Sequence, residues 1–111
     1  MRSAAFRAAV LAALAIVAGA AQGKGKAHAA HVISARGAAF EPRVLEVSAG
    51  DTVEWKNDDV IPHNILARDR SFASRKDLDP GQTYRWVAKA RGSHPYFCTL
   101  HPVMTGSVVV K

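Results

Sequence analysis

The sequence contains one cysteine, Cys98, and two methionines, of which Met1 is the initiator and Met104 the other. A lone cysteine excludes an internal disulfide, so Cys98 is a packed thiol, a reactive thiol or a ligand. The residues beyond the first thirty show no helical period, no internal repeat and no low-complexity run. No acid–base set suited to catalysis stands out. Nor is there a basic stripe suited to nucleic acid: 15 Lys and Arg against 9 acids give +6, but the two signs are interleaved. That reads as a solvated surface, with enough positive charge to steer an anionic protein partner in a salt-dependent way.

The longest uncharged run is short. Ala8 to Ala21 is alanine-rich and contains Val10, Leu11, Leu14, Ile16 and Val17. It falls short of the roughly 20 strongly apolar residues a membrane span needs. Arg2 and Arg7 precede it, and Ala18-Gly19-Ala20 offers an A-x-A cleavage site. This is the layout of a secretory signal peptide over residues 1–20. Export places the mature chain in the periplasm or an equivalent oxidising space, with no membrane span. Residues 21–31 read as a flexible lead-in; His28 and His31 at its end read as solvated, with a weak capacity for metal.

Residues 32–111 read as one domain of short strands. His31 to Ala35 is β-prone and ends at Gly37. Phe40 to Val47 is a second run, with Pro42 confining it to an edge or a bulge. Thr52 to Asn57 alternates, Val53 and Trp55 facing one way. Asn64 to Ala67 is a short strand. Arg68 to Asp79 is polar and irregular, anchored by Phe72 and Leu78. Thr83 to Lys89 alternates, with Tyr84, Trp86 and Ala88 on one face. Ser93 to Cys98 and Thr105 to Lys111 complete the set. Short strands between turn signals define an all-β sandwich or barrel. Its small core rests on Trp55, Trp86, Phe40 and the valines.

The chemistry concentrates near the end of the chain, in Tyr96-Phe97-Cys98-Thr99-Leu100-His101-Pro102-Val103-Met104. A cysteine alone is commonly an inert buried thiol, and a methionine alone a gap filler. Cys98, His101 and Met104 at spacings of three set a soft thiolate, an imidazole and a thioether on one short loop. Soft sulfur ligands select copper, and a trigonal His2Cys site with a weak axial Met is the blue-copper arrangement. The second histidine is His63, flanked by Ile61, Pro62 and Ile65. His94 is excluded, since it lies on the Cys98 strand about 13 Å back at strand rise. Asn64 is expected to brace the Cys98 loop from beside the metal, with Thr99 as its partner. Leu100, Pro102 and Val103 form an apolar patch around the His101 edge, suited to brief docking.

Phe40-Glu41-Pro42, Gly50 to Asn57, Pro62-His63-Asn64, Pro80-Gly81 and Tyr96 to Gly106 occur in an order that resembles the cupredoxins, the plastocyanin- and azurin-like small blue copper proteins. The short Cys-x-x-His-x-x-Met spacing is most similar to the amicyanins, although Leu100 stands where they have proline. The resemblance implies a Greek-key β-sandwich and one copper ion cycling between Cu(I) and Cu(II) on His63, Cys98, His101 and Met104. It also implies single-electron transfer through His101 by a monomer that is not an enzyme. Redox proteins, a c-type cytochrome or a dehydrogenase, are the implied partners. A copper carrier or scavenger outside any redox chain would use the same ligands. Zinc is disfavoured because methionine is a poor ligand for it.

Overall fold

The computed structural model describes residues 27–111; the signal peptide expected over 1–20 and the first part of the lead-in lie outside them. Eight strands form two four-stranded sheets. They are β1 (Ala30–Arg36), β2 (Ala39–Glu41), β3 (Val44–Val47), β4 (Thr52–Asn57), β5 (Leu66–Ala67), β6 (Thr83–Val87), β7 (Gly92–Cys98) and β8 (His101–Val110). One sheet has the order β2-β1-β4-β6 and the other β3-β8-β7-β5. The chain changes sheet at every step from β2 to β7, so the sandwich is stitched by crossings rather than by hairpins. Two neighbouring pairs, β1 with β4 and β3 with β8, are consequently parallel. Among the described residues no helix is long and apolar enough to cross a membrane.

The alternation seen in the sequence decides which side chains meet between the sheets. Val53 and Trp55 on β4 are fully buried, as are Tyr96 and Cys98 on β7 and Val108 on β8. Trp55 is the hub. Its ring lies 5.1 Å from Phe72, 5.4 Å from Tyr96 and 5.6 Å from Tyr84, centroid to centroid. Offset and edge-on aromatic contacts of this kind add to the area they bury. Phe72 and Leu78 fasten the irregular segment to the core, as its two apolar residues imply.

The expected single strand over Phe40–Val47 is instead two strands in different sheets. Pro42 has no N–H to continue a ladder and a fixed φ. The chain leaves one sheet there, through a cis Glu41–Pro42 peptide, and re-enters the other at Val44. The last strand is also longer than its valine run implies. It begins at His101, because Cys98 pairs directly with His101 across Thr99 and Leu100. At the other edge, His31 is not part of a free arm. It lies in β1, and its Nε2 is 2.9 Å from Asp51 Oδ2. Gly92 opens β7 rather than breaking the chain before it.

Asp51 fixes that end of the sandwich. Its carboxylate accepts from Ala29 N–H (2.9 Å) and Ser48 N–H (3.0 Å) as well as meeting His31. The His31 contact foremost, then the two backbone donors, hold its pKa down at about 2. Stability from this group is fully present above the unfolded value near 4 and is lost as pH falls through about 2. The stability advantage of the wild type over Asp51→Asn should therefore shrink between pH 4 and pH 2 in denaturant titrations. An advantage independent of pH would contradict it. A packing test is also at hand: a Cβ on Gly106 would overlap the hydroxyl end of Tyr96, which is fully buried and cannot swing away. Gly106→Ala should cost about 1–3 kcal/mol by denaturant midpoint.

Candidate metal centre

The site is built at the end of the sandwich where β4 stops and β7 turns into β8. Asn57, the last residue of β4, is buried, and its Nδ2 donates to Ile61 O (2.9 Å) and Leu78 O (2.8 Å). Its Oδ1 accepts from Asp59 N–H at 2.8 Å. One amide side chain thus shapes the loop that leads to His63. Backbone bonds between His63 and Leu78, at 3.2 and 2.7 Å, then clamp His63 to the irregular segment.

His63 is 0% exposed, and so is Cys98. Its Nδ1 faces Cys98 Sγ at 3.8 Å. Its Nε2 is 2.9 Å from Asp59 Oδ2. That contact, followed by the Ala38 N–H, holds the Asp59 pKa down at about 2, so the group is an ionised acceptor at neutral pH. An ionised carboxylate can only accept, which places an imidazole proton on Nε2 and turns Nδ1 toward the sulfur. Asp59 is the residue of the candidate site that sequence reasoning missed. The signal was a carboxylate four positions ahead of a candidate ligand histidine, hidden in what read as plain loop chemistry.

The sulfur has a second neighbour. Asn64 N–H points at Cys98 Sγ, 3.4 Å away. The Asn64 side chain closes a reciprocal pair with Thr99: Thr99 N–H donates to Oδ1 and Nδ2 donates to Thr99 Oγ1, both at 2.8 Å. This is the brace expected from the sequence, with Asp77 Oδ1 as an additional acceptor at 2.9 Å. His101 is half-buried, and its ring packs against His63, centroids 5.1 Å apart and 64° between planes. Met104 is 2% exposed and belongs to the same core cluster as Cys98.

The structure therefore brings Cys98 to His63 and His101 to His63, with Met104 buried three residues further along β8. Among the described residues, no three His, Cys, Asp or Glu side chains already ring a common ion position. The donor set nonetheless suits a soft ion. A sulfur and an imidazole lone pair are sealed from water face to face, with a backbone N–H fixed on the sulfur. His94 is excluded on structural grounds as well, since its Nδ1 is 2.8 Å from Asp69 and its Nε2 donates to Ala90 O. His63 is enclosed, although of its apolar neighbours only Ile65 is itself buried; Ile61 is 39% exposed and Pro62 is exposed. The apolar rim around His101 is open to solvent, with Val103 91% and Leu100 45% exposed. Val60, at 87%, joins the exposed apolar residues of this end from the loop before His63.

A two-sheet sandwich with a thiol–imidazole pair at one end defines a small copper protein. The Cupredoxin-like domain family matches residues 7–110, and the chain belongs to it. It is 36% identical to amicyanin of Paracoccus versutus over 72 residues, covering 60% of this chain and 54% of that protein. Plastocyanin of Vicia faba is 34% identical over 89 residues, 68% of this chain and 90% of that one. A purple cupredoxin from Nitrosopumilus maritimus superposes with a TM-score of 0.70 at 32% identity, over 73% of this chain and 99% of that one. The fold also recurs in a copper-containing nitrite reductase from Thermus scotoductus, TM-score 0.67 and 30% identity. There it covers 72% of this chain but only 22% of the enzyme. The chain spans about half the length of the amicyanin it matches. The family's ion is one copper, and these relatives support a cupredoxin electron carrier at the level of the family.

Removing the carboxylate that orients His63 should weaken copper without unfolding the sandwich. Asp59→Ala is expected to lose about 10–100-fold in copper affinity, measured by competition with a chelator. An unchanged affinity would mean that the His63 orientation is set elsewhere.

Proposed function

We propose that His63, Cys98, His101 and Met104 hold one copper ion and that the protein carries single electrons between redox proteins in the periplasm. The observation that supports this most is the buried facing pair of Cys98 Sγ and His63 Nδ1 at 3.8 Å. Bound copper supplies the one-electron Cu(I)/Cu(II) couple. The protein's own groups hold the site still between the two states. Asp59 fixes the His63 ring, the Asn64–Thr99 pair fixes the turn after Cys98, and the Asn64 N–H favours negative charge on the sulfur. His101, half-buried within an exposed apolar rim, is the port for electrons. Leu100, Val103 and Val60 form a face suited to a short-lived complex with a c-type cytochrome or a dehydrogenase. Four ligands leave no position open for a substrate, which argues for a carrier rather than an enzyme. A monomer released from a signal peptide fits this role.

Copper loading followed by a visible absorption spectrum and voltammetry tests the reading. An intense thiolate-to-Cu(II) band and a reversible couple are expected; a colourless site that binds only Cu(I) would instead identify a copper carrier or scavenger. Met104→Leu should keep copper and raise the potential, and His63→Ala should lose tight binding. A Met104→Leu protein with unchanged spectrum and potential would remove Met104 from the ligand set.

A further inference from the structure

At the opposite end of the sandwich, nine strand steps along β8 and so about 30 Å from His101, a second group of metal-type donors comes together. His31 Nε2 is 2.9 Å from Asp51 Oδ2, and His28 Nδ1 is 3.9 Å from Asp51 Oδ1. His28 comes from the segment entering β1, His31 from β1 itself, and the carboxylate from the residue before β4. His31 and Asp51 border a groove of about 220 Å³ that Ser48 also lines. Glu46 and Lys111, also in that lining, pair with each other at 3.2 Å, so the lysine charge is matched by its own partner.

We propose that His28, His31 and Asp51 form a second site, for a divalent transition ion of the zinc or copper(II) class. Two imidazoles and one carboxylate are ligands that such ions accept. In a tetrahedral site with bonds of about 2.0 Å, ligand atoms lie about 3.3 Å from one another. The His31 Nε2–Oδ2 separation, 2.9 Å, is close to that edge, and His28 Nδ1 approaches the other oxygen, Oδ1, at 3.9 Å. The carboxylate is already held as a ligand must be, by Ala29 N–H on Oδ1 and Ser48 N–H on Oδ2. The backbone is cut to admit His28: its ring lies against Gly50, at φ +98°, where any Cβ would overlap the imidazole. The donors are gathered but not closed around one point, and closing them asks for a rotation of His28, whose side chain is 61% exposed and free to turn. The ion would replace the direct His31–Asp51 hydrogen bond and tie the start of β1 to the turn before β4. No cysteine or methionine is present, so this ion is distinct in chemistry from the one proposed at Cys98.

Zinc titration of the copper-loaded protein, followed by calorimetry and by the copper absorption band, tests this. One further Zn²⁺ per chain is expected, with the copper band unchanged and the melting temperature raised by mass action. His28→Ala, at a mostly exposed side chain, should fold normally and bind Zn²⁺ at least about tenfold more weakly; His31→Ala should abolish the uptake. The same titration of Cys98→Ser should still show the site, which separates it from the copper reading. Absence of saturable uptake, uptake unaffected by His28→Ala, or uptake that bleaches the copper band would each overturn the proposal.

Discussion

The structure turns on one enclosed contact: a cysteine sulfur and an imidazole nitrogen, both sealed from solvent, facing each other 3.8 Å apart. Burying polar groups is costly unless they are satisfied. Each of these has one partner on its far side, Asn64 N–H for the sulfur and Asp59 for the histidine. On their near sides the two meet each other, a long sulfur contact between soft and borderline donors of the kind a soft ion can bridge.

The rest of the fold keeps that contact in place. Trp55 ties the aromatic cluster together beneath the site, Asn57 shapes the loop to His63, and the Asn64–Thr99 pair crosses from that loop to the turn after Cys98. The two candidate ligand segments, remote in sequence, are thus cross-braced by hydrogen bonds that involve no metal. Rigidity of this kind suits a centre that exchanges an electron and must not rearrange when it does. At the other pole, Asp51 performs a comparable bracing task for the first strand, using two backbone N–H groups and a histidine.

How much of this could be read from the sequence depended on range. Val53 and Trp55 announced an inward face by alternation alone, and both are fully buried. Cys98, His101 and Met104 lie within seven residues, so the spacing alone could nominate them as a candidate ligand set. The Asn64–Thr99 pairing was also anticipated, from the family of residues around it. What stayed hidden needed tertiary placement. Pro42 signalled an interruption but not that the chain would change sheets there. Asp59 looked like loop chemistry until the fold turned it back on His63. His31 looked solvated because its anchor, Asp51, is twenty residues downstream and declares nothing locally; His28 is exposed, as read. His101 read as a loop residue, since strand pairing with Cys98 across a two-residue turn leaves no periodicity to detect.

X-ray absorption at the copper edge of the loaded protein tests the central claim most directly, because it reports the atoms around the ion. One short sulfur scatterer together with two imidazole nitrogens is the predicted shell, and the short sulfur should vanish in Cys98→Ser. A shell of nitrogen and oxygen alone in the wild type would contradict the account, since copper would then sit away from the buried Cys98–His63 pair.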